Sequence, residues 1–256
     1  MTTHKISTKG AELLATETGT GPVVVLSHCL GLDHSVWDGV VERLPNNRCI
    51  RYDLRGHGRS DTPVGPYSMG TLISDAETMC DQLALKDVVF IGLSVGGLIA
   101  QGLAVKRLDL VRGMVLINTA AKLGQPEPWH ARAKAARTDG MAAIAPDTLT
   151  RWNAGDDSQR LEEHLLHANP EGYAATCEAI AGTDFYTPTS GLGLPTLGLG
   201  GTMDKATPPD LVRETTDLIR GSSFHLIRGA GHVAPVTHPG IVADHIRTFL
   251  ASIGHV

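Results

Sequence analysis

The pentapeptide Gly-Leu-Ser-Val-Gly at residues 92–96 constrains the fold of this chain more than any other feature. A β-branched and aromatic run at residues 88–91 precedes it, and a run of small and aliphatic residues follows. This layout predicts a buried strand, a very tight turn and a helix, with Ser94 strained at the turn. Side chains at Gly92 and Gly96 would collide with the neighbouring strand and helix as the chain reverses. We therefore expect the Ser94 hydroxyl to point out over the end of a sheet.

Strand and helix patterns alternate on both sides of this motif. Continuous apolar runs, typical of strands buried on both faces of a parallel sheet, occur at residues 23–27, 49–54, 88–91, 114–118, 195–201 and 224–227. Helical patterns occur at residues 33–44, 71–85 and 239–253, and residues 5–15 predict one or two short strands. The alternation predicts an α/β fold, a mostly parallel central sheet with helices on both faces.

The alternation stops between residues 119 and 188. This stretch contains polar helical segments and two of the three tryptophans, but no pattern of a buried strand. We expect a helical cap at residues 119–188, inserted into an α/β core formed by residues 1–118 and 189–256.

Charge and cysteine usage argue against several classes of function. The formal net charge of −5 provides no bulk attraction to nucleic acid or anionic membranes. No segment is long enough to span a bilayer, and the N-terminus has no apolar leader pattern. Cys29, Cys49, Cys80 and Cys177 lack Cys-x-x-Cys spacing, which predicts buried free thiols in a reducing cytoplasm. We expect a soluble cytoplasmic protein, either a monomer or a homodimer.

Asp204 and His232 occupy the sequence positions at which a serine nucleophile needs a carboxylate and an imidazole. A serine hydroxyl becomes reactive when an imidazole takes its proton and a carboxylate orients that imidazole, in chain order Ser, Asp, His for this topology. Asp204 follows the predicted strand at 195–201, and His232 follows the last strand. Taken singly, Asp204 would be a turn residue and His232 a surface histidine. All three positions together predict a catalytic triad of Ser94, Asp204 and His232 at the carboxyl edge of the sheet.

An oxyanion hole requires two N–H donors beside the nucleophile. The backbone N–H of Val95 would lie at the N-terminal end of a helix, where partial positive charge favours an anion. The loop after the early strand supplies the second donor, for which we choose the backbone N–H of Leu30.

The polar residues around these loops have structural interpretations. His28 is expected to brace its loop through hydrogen bonds, and Arg55 and His57 to hold a tight loop, with Asp53 or Asp61 as the simplest partner of Arg55. The 12 histidines show no His-Glu-x-x-His spacing, and no Gly-x-Gly-x-x-Gly opens a helix. We therefore expect no metal and no cofactor.

By these motifs the chain resembles α/β-hydrolase fold enzymes over essentially its whole length, and within them it most resembles 3-oxoadipate enol-lactonases. The segments that carry this resemblance are residues 30–33, 51–60, 92–98, 118–124, 137–141, 171–173 and 177–180, with Trp37, Trp129, Arg132, Arg151 and Trp152. The resemblance implies a serine hydrolase that opens a carboxylated enol-lactone through an acyl-enzyme, with a cap that forms much of the substrate pocket.

The carboxylate of such a substrate calls for a cation in the pocket. Arg132 and Arg151 are the candidates, because a guanidinium pairs with a carboxylate bidentately. Alternatively, these arginines are solvated or brace the cap. Trp129 and Trp152 either pack the cap or wall the pocket.

Other functions remain compatible with the sequence. A carboxylesterase for neutral short-chain esters would use the same triad with a different cap, and the triad alone also allows a carbon–carbon bond hydrolase. A ligand-binding module without turnover is disfavoured by the intact triad. A dehalogenase or epoxide hydrolase would need a carboxylate in place of Ser94.

Overall fold

In the computed structural model, which describes residues 1–256, eight strands form a single sheet. The strands are β1 (Thr2–Thr8), β2 (Ala11–Thr18), β3 (Val23–Ser27), β4 (Arg48–Tyr52), β5 (Val88–Leu93), β6 (Val111–Ile117), β7 (Thr196–Gly201) and β8 (Ser223–Ile227). Their order across the sheet is β1-β2-β4-β3-β5-β6-β7-β8. The β1–β2 and β2–β4 pairs are antiparallel, and all the others are parallel. The predicted, mostly parallel sheet is confirmed.

Eleven α-helices accompany the sheet. They are α1 (Asp38–Val41), α2 (Met69–Gln82), α3 (Val95–Lys106), α4 (Pro126–Asp139), α5 (Met141–Trp152), α6 (Ser158–His167), α7 (Pro170–Ala181), α8 (Tyr186–Ser190), α9 (Pro209–Asp217), α10 (Ala234–Thr237) and α11 (Pro239–Ser252). Not one of them combines the length and the apolar character needed to cross a membrane.

The hydrophobic core is centred on the middle strands of the sheet. Every residue of β5 and of β7 is buried, which requires cover on both faces of the sheet. Helix α3 packs against β3, β5 and β6, and α9 packs against β7 and β8. The loops that follow the buried central strands come to one edge of the sheet, where they can build a site.

Helices α4–α7 form an insertion between β6 and β7, and we use the name cap for these four helices. Helix α4 packs along α7, and α5 packs against both α4 and α6. Arg137 of α4 pairs with Glu171 and Glu178 of α7, which joins the first and last helices of the cap. The cap thus has its own internal packing.

Two helices differ from the sequence-based expectation. The predicted helix at 33–44 is a 3-10 turn, His34–Trp37, followed by the single turn α1. Trp37 has φ −94° and ψ −5°, and Gly39 lowers helical propensity, so a long helix does not propagate here. Helix α9 was not predicted. It begins at Pro209, and proline is well tolerated at the first helical position.

Candidate active site

Ser94 lies in a sharp turn between β5 and α3. Its backbone has φ 57° and ψ −117°, a conformation that is rare for a non-glycine residue. A side chain on Gly92 would overlap the backbone of Gly96, and one on Gly96 would overlap the carbonyl of Ser27. The carbonyl of Ser94 accepts a hydrogen bond from Thr119 Oγ1 at 2.6 Å, which helps to hold the turn. The strained turn is the one that the sequence predicts.

Asp204 and His232 are hydrogen-bonded to each other at the carboxyl edge of the sheet. His232 Nδ1 lies 2.8 Å from Asp204 Oδ2, and both residues are buried. The other carboxylate oxygen of Asp204 accepts the N–H groups of Ala206 and Thr207 at 2.7 and 3.0 Å. Because the carboxylate only accepts, Nδ1 carries the proton and Nε2 is left as a proton acceptor.

Ser94 and His232 line one cavity of about 200 Å³ beneath the cap. Their side chains do not hydrogen-bond to each other in this structure, and such contacts often tighten only when substrate fills a site. The cavity is also lined by Cys29, Leu30 and residues of α4, α5 and α7. Ser94 and His232 therefore border one cavity, and Asp204 is joined to it through its hydrogen bond to His232.

Leu30 reaches the same cavity through a loop that His28 braces. The Nε2 of His28 accepts the N–H of Leu54 at 3.0 Å, so its Nδ1 donates to the carbonyl of Cys29 at 2.7 Å. That carbonyl and the N–H of Leu30 belong to one trans peptide and point in opposite directions. Burial lowers the pKa of His28 and keeps it neutral. The predicted bracing role of His28 is confirmed.

The N–H groups of Leu30 and Val95 have the properties that the sequence analysis requires of them. The Leu30 N–H donates to no other group of the protein. Val95 is the first residue of α3, so its N–H has no acceptor within the helix. Val95 adjoins Ser94 in the chain, and Leu30 lines the same cavity as Ser94.

The predicted partner of Arg55 was wrong. Arg55 forms a buried bidentate pair with Asp75 of α2, at 2.5 and 2.6 Å. Asp53 instead accepts hydrogen bonds from His34, and Asp61 accepts the N–H of Glu12. The carboxylate of Asp53 is thus engaged by the segment after β3 and that of Asp61 by β2, while α2 brings a third carboxylate to the guanidinium. Arg55 remains a structural residue.

The segments after β3 and β4 together form one cluster with the spacing of a metal site. Ligand atoms of Asp33, His34 and Asp53 lie within 4.8 Å of one another. Each carboxylate already has protein donors: His164 and the N–H of Ser35 for Asp33, and His34 for Asp53. The cluster is a closed hydrogen-bonded network, and we assign it no metal.

Arg132 and Trp129 of α4 line the cavity, as a substrate-binding pair would. The Arg132 side chain is 15% exposed, and its guanidinium lies 5.2 Å from the centre of the Trp129 ring. One guanidinium nitrogen lies 3.5 Å from the hydroxyl of Tyr173, and another lies 3.3 Å from Asp147. A cation with an aromatic neighbour therefore borders the same space as Ser94.

Arg151 and Trp152, at the end of α5, line the cavity from another side. Arg151 is 31% exposed and pairs with Asp147 at 3.2 Å, so both arginines share one carboxylate. The Trp152 ring stacks on that of His232 with centroids 6.0 Å apart. Tyr173 and Thr148 also border the cavity. Neither residue was predicted to line the pocket, because both lie in helical patterns that resemble ordinary packing.

Comparison with known proteins agrees with this geometry. Residues 24–245 match the model of a protein family described as the alpha/beta hydrolase family. The chain belongs to the alpha/beta hydrolase family. The predicted fold is confirmed, and the helical insertion α4–α7 lies within it.

Relatives of this hydrolase include 3-oxoadipate enol-lactonase 2 of Acinetobacter baylyi, 33% identical over 85% of this chain and 84% of that protein. A crystal structure of the enol-lactonase from Burkholderia xenovorans LB400 aligns with 34% identity and a TM-score of 0.92, over 98% of this chain and 100% of that one. A malate-bound esterase from Thermogutta terrifontis aligns with 31% identity and a TM-score of 0.93 over all of both chains. The resemblance to enol-lactonases is confirmed, and the protein is a hydrolase of ester or lactone bonds.

Proposed function

We propose that this hydrolase opens a small carboxylated enol-lactone, with 3-oxoadipate enol-lactone as substrate and 3-oxoadipate as product. The observation that carries the proposal is one cavity bordered by Ser94, His232 and the cap cation Arg132. The relatives named as enol-lactonases support this substrate, and the esterase structure that holds malate supports a small anionic ligand. In this proposal residues 119–188 are the cap domain over a core of residues 1–118 and 189–256.

The first half of the reaction forms an acyl-enzyme. His232 takes the proton of Ser94 while the Ser94 oxygen attacks the lactone carbonyl, and Asp204 stabilises the imidazolium. The N–H groups of Leu30 and Val95 bind the oxyanion, each lowering the barrier by about 3 kcal/mol. The carbonyl carbon then loses the ring oxygen, which leaves as an enolate and takes a proton from His232. The opened chain stays bound to Ser94 as an ester.

The second half releases the acid. Water gives a proton to His232 and attacks the ester carbonyl, and the Ser94 oxygen leaves and recovers that proton. An enol-lactone suits this sequence, because an enolate is a better leaving group than an alkoxide. The released enol relaxes to the ketone, which draws the reaction forward.

Arg132 is the proposed ligand of the substrate carboxylate. It is less exposed than Arg151, at 15% against 31%, so its charge is screened less by water. The Tyr173 hydroxyl beside it can donate to the same carboxylate. Trp129 would cover one face of the ligand, and Trp152 would border the end of the cavity near His232.

A second candidate is a carboxylesterase for neutral short-chain esters. The observation in its favour is Asp147, which pairs with Arg132 and Arg151 and already offsets their positive charge. Apolar residues of the cavity, Leu123, Pro128 and Leu211, would suit a short acyl chain.

Steady-state kinetics distinguishes these functions. The purified protein is assayed on freshly generated 3-oxoadipate enol-lactone and on p-nitrophenyl butyrate, with Ser94→Ala as the control for background hydrolysis. The proposal expects kcat/KM on the lactone to exceed that on the ester, and both activities to vanish in the variant. Strong ester hydrolysis with little lactone turnover would favour the carboxylesterase. Activity on neither would favour a binding module.

A further inference from the structure

Asn118, the residue that follows β6, is fully buried with a left-handed backbone of φ 46°. All the polar atoms of its side chain are used. Its Nδ2 donates to the carbonyls of Gly231 and His232 at 3.0 and 2.7 Å, and its Oδ1 accepts the N–H of Gly201 at 2.8 Å. An asparagine amide has two donor hydrogens, and both are engaged. This amide therefore has one fixed orientation.

The three partners of Asn118 lie where two strands become loops. The pairing of β7 with β8 ends at Gly201 and Ile227. Beyond this point one loop leads to Asp204 and the other to His232. The amide of Asn118 lies at the end of β6 and hydrogen-bonds to both segments. It therefore connects them beyond the point where the backbone hydrogen bonds between β7 and β8 end.

We propose that Asn118 is a positioning residue for hydrolysis, whose amide fixes the backbone of His232 relative to Asp204 and so aims the imidazole at Ser94. The inference rests on the proposed function, since it assigns His232 the role of base. The chemistry explains the residue type. The site requires two donors and one acceptor within a short planar group. Aspartate has no donors when ionised, and an aliphatic side chain has neither donors nor acceptors.

Two substitutions separate this role from simple packing. Asn118→Asp keeps the acceptor for Gly201 but loses both donors and brings a negative charge to two carbonyl oxygens. Asn118→Gly removes the side chain while tolerating the positive φ. In both variants we expect kcat to fall about 10- to 100-fold with KM changed less than about twofold. The acidic limb of the pH profile of kcat/KM should also move. Asp87→Gly, at another left-handed position with φ 49°, controls for the backbone change.

Labelling of Ser94 with a fluorophosphonate probe makes the outcomes distinct. A wild-type protein that neither reacts with the probe nor hydrolyses ester or lactone would overturn the proposed function itself. A reactive wild type beside variants that lose thermal stability but keep kcat and the pH profile would overturn only the positioning role. If both variants fail to fold, the side-chain amide resonances of Asn118 are followed by NMR in the wild type. They should shift when the probe modifies Ser94, and unchanged resonances would count against the inference.

Discussion

The backbone N–H of His232 donates to the carbonyl of Trp152 at 2.8 Å, so the proposed catalytic base is hydrogen-bonded to the last residue of a cap helix. The same helix end holds the other loop of the site, because the N–H of Lys205 donates to the carbonyl of Arg151 at 3.0 Å. The end of α5 is therefore built into the scaffold of Asp204 and His232. Opening of the cap at this edge would break the geometry on which the proposed mechanism depends.

The close contact between Gly231 and the end of α5 predicts a sensitive position. A side chain at residue 231 would overlap the backbone carbonyls of Trp152 and Asn153, which cannot rotate away. Gly231→Ala should lower the free energy of unfolding by about 1–3 kcal/mol and lower kcat. Thermal melting and kinetics on p-nitrophenyl butyrate measure both effects. Gly182→Ala is the matched control, since its new methyl would find no atom closer than 3.8 Å. Equal effects of the two substitutions would contradict the prediction.

Removal of the cap cation should affect substrates according to their charge. In Arg132→Ala we expect kcat/KM on the anionic lactone to fall about 10- to 100-fold, as when a charge-assisted hydrogen bond is lost. Turnover of neutral p-nitrophenyl butyrate should change by less than about twofold. Lys134→Ala removes a positive charge from the exposed side of the same helix and controls for the change in net charge. Equal losses on both substrates would exclude a carboxylate-binding role.

The sequence was sufficient for those parts of the site that a local pattern or chain order specifies. The turn at Ser94 follows from two glycines whose side-chain positions are filled by backbone. The placement of Asp204 and His232 follows from strand ends that must share one edge of the sheet. These rules are local or topological, so they need no knowledge of which side chains meet across the fold.

Contacts between distant segments were beyond such rules. Arg55 pairs with Asp75, 20 residues away on α2, and nothing in the sequence favours that carboxylate over Asp53 or Asp61. Asn118 reads as the polar end of a strand, and its three partners become apparent only when β7 and the loop after β8 are placed beside it. The packing of α2 selects the partner of Arg55, and the strand and loop beside Asn118 select its partners, whereas the hydropathy pattern specifies only that these elements are buried.

The buried pair of Arg55 and Asp75 predicts a large effect on stability. Both side chains are at most 6% exposed, so Arg55→Leu would leave a buried carboxylate without its partner. We expect a loss of about 3–5 kcal/mol in the free energy of unfolding, measured with urea. Lys5→Ala, which removes an exposed pair with Glu12, should leave that free energy almost unchanged. A small effect of Arg55→Leu would show that water or another cation compensates the carboxylate.

The ion pair between His164 of α6 and Asp33 predicts how the attachment of the cap depends on pH. Their side chains meet at 2.8 Å, beside the loop that carries Leu30. The hydrogen bond to Asp33 raises the pKa of His164 above its ordinary 6.5. Burial alone would raise the pKa of Asp33, but hydrogen bonds from His164 and Ser35 outweigh it and lower that pKa below 3.8. The ion pair therefore stabilises the fold fully between pH 3.8 and pH 6.5, the ordinary pKa values of Asp33 and His164. It is lost as the pH rises through the raised pKa of His164.

Urea unfolding of the wild type and of His164→Asn measures this dependence. The substitution should lower the free energy of unfolding by up to about 1 kcal/mol near pH 5.5, the range found for partly exposed pairs, and by much less near pH 9. All other titrating groups are common to both proteins, so they cancel in the difference. His130→Asn, at an exposed position on α4, should give a difference near zero at both pH values. Only the charged pair is lost as the imidazole deprotonates. An equal difference in the free energy of unfolding at both pH values would therefore show that the side chain stabilises the cap through packing and neutral hydrogen bonding, and would contradict the prediction.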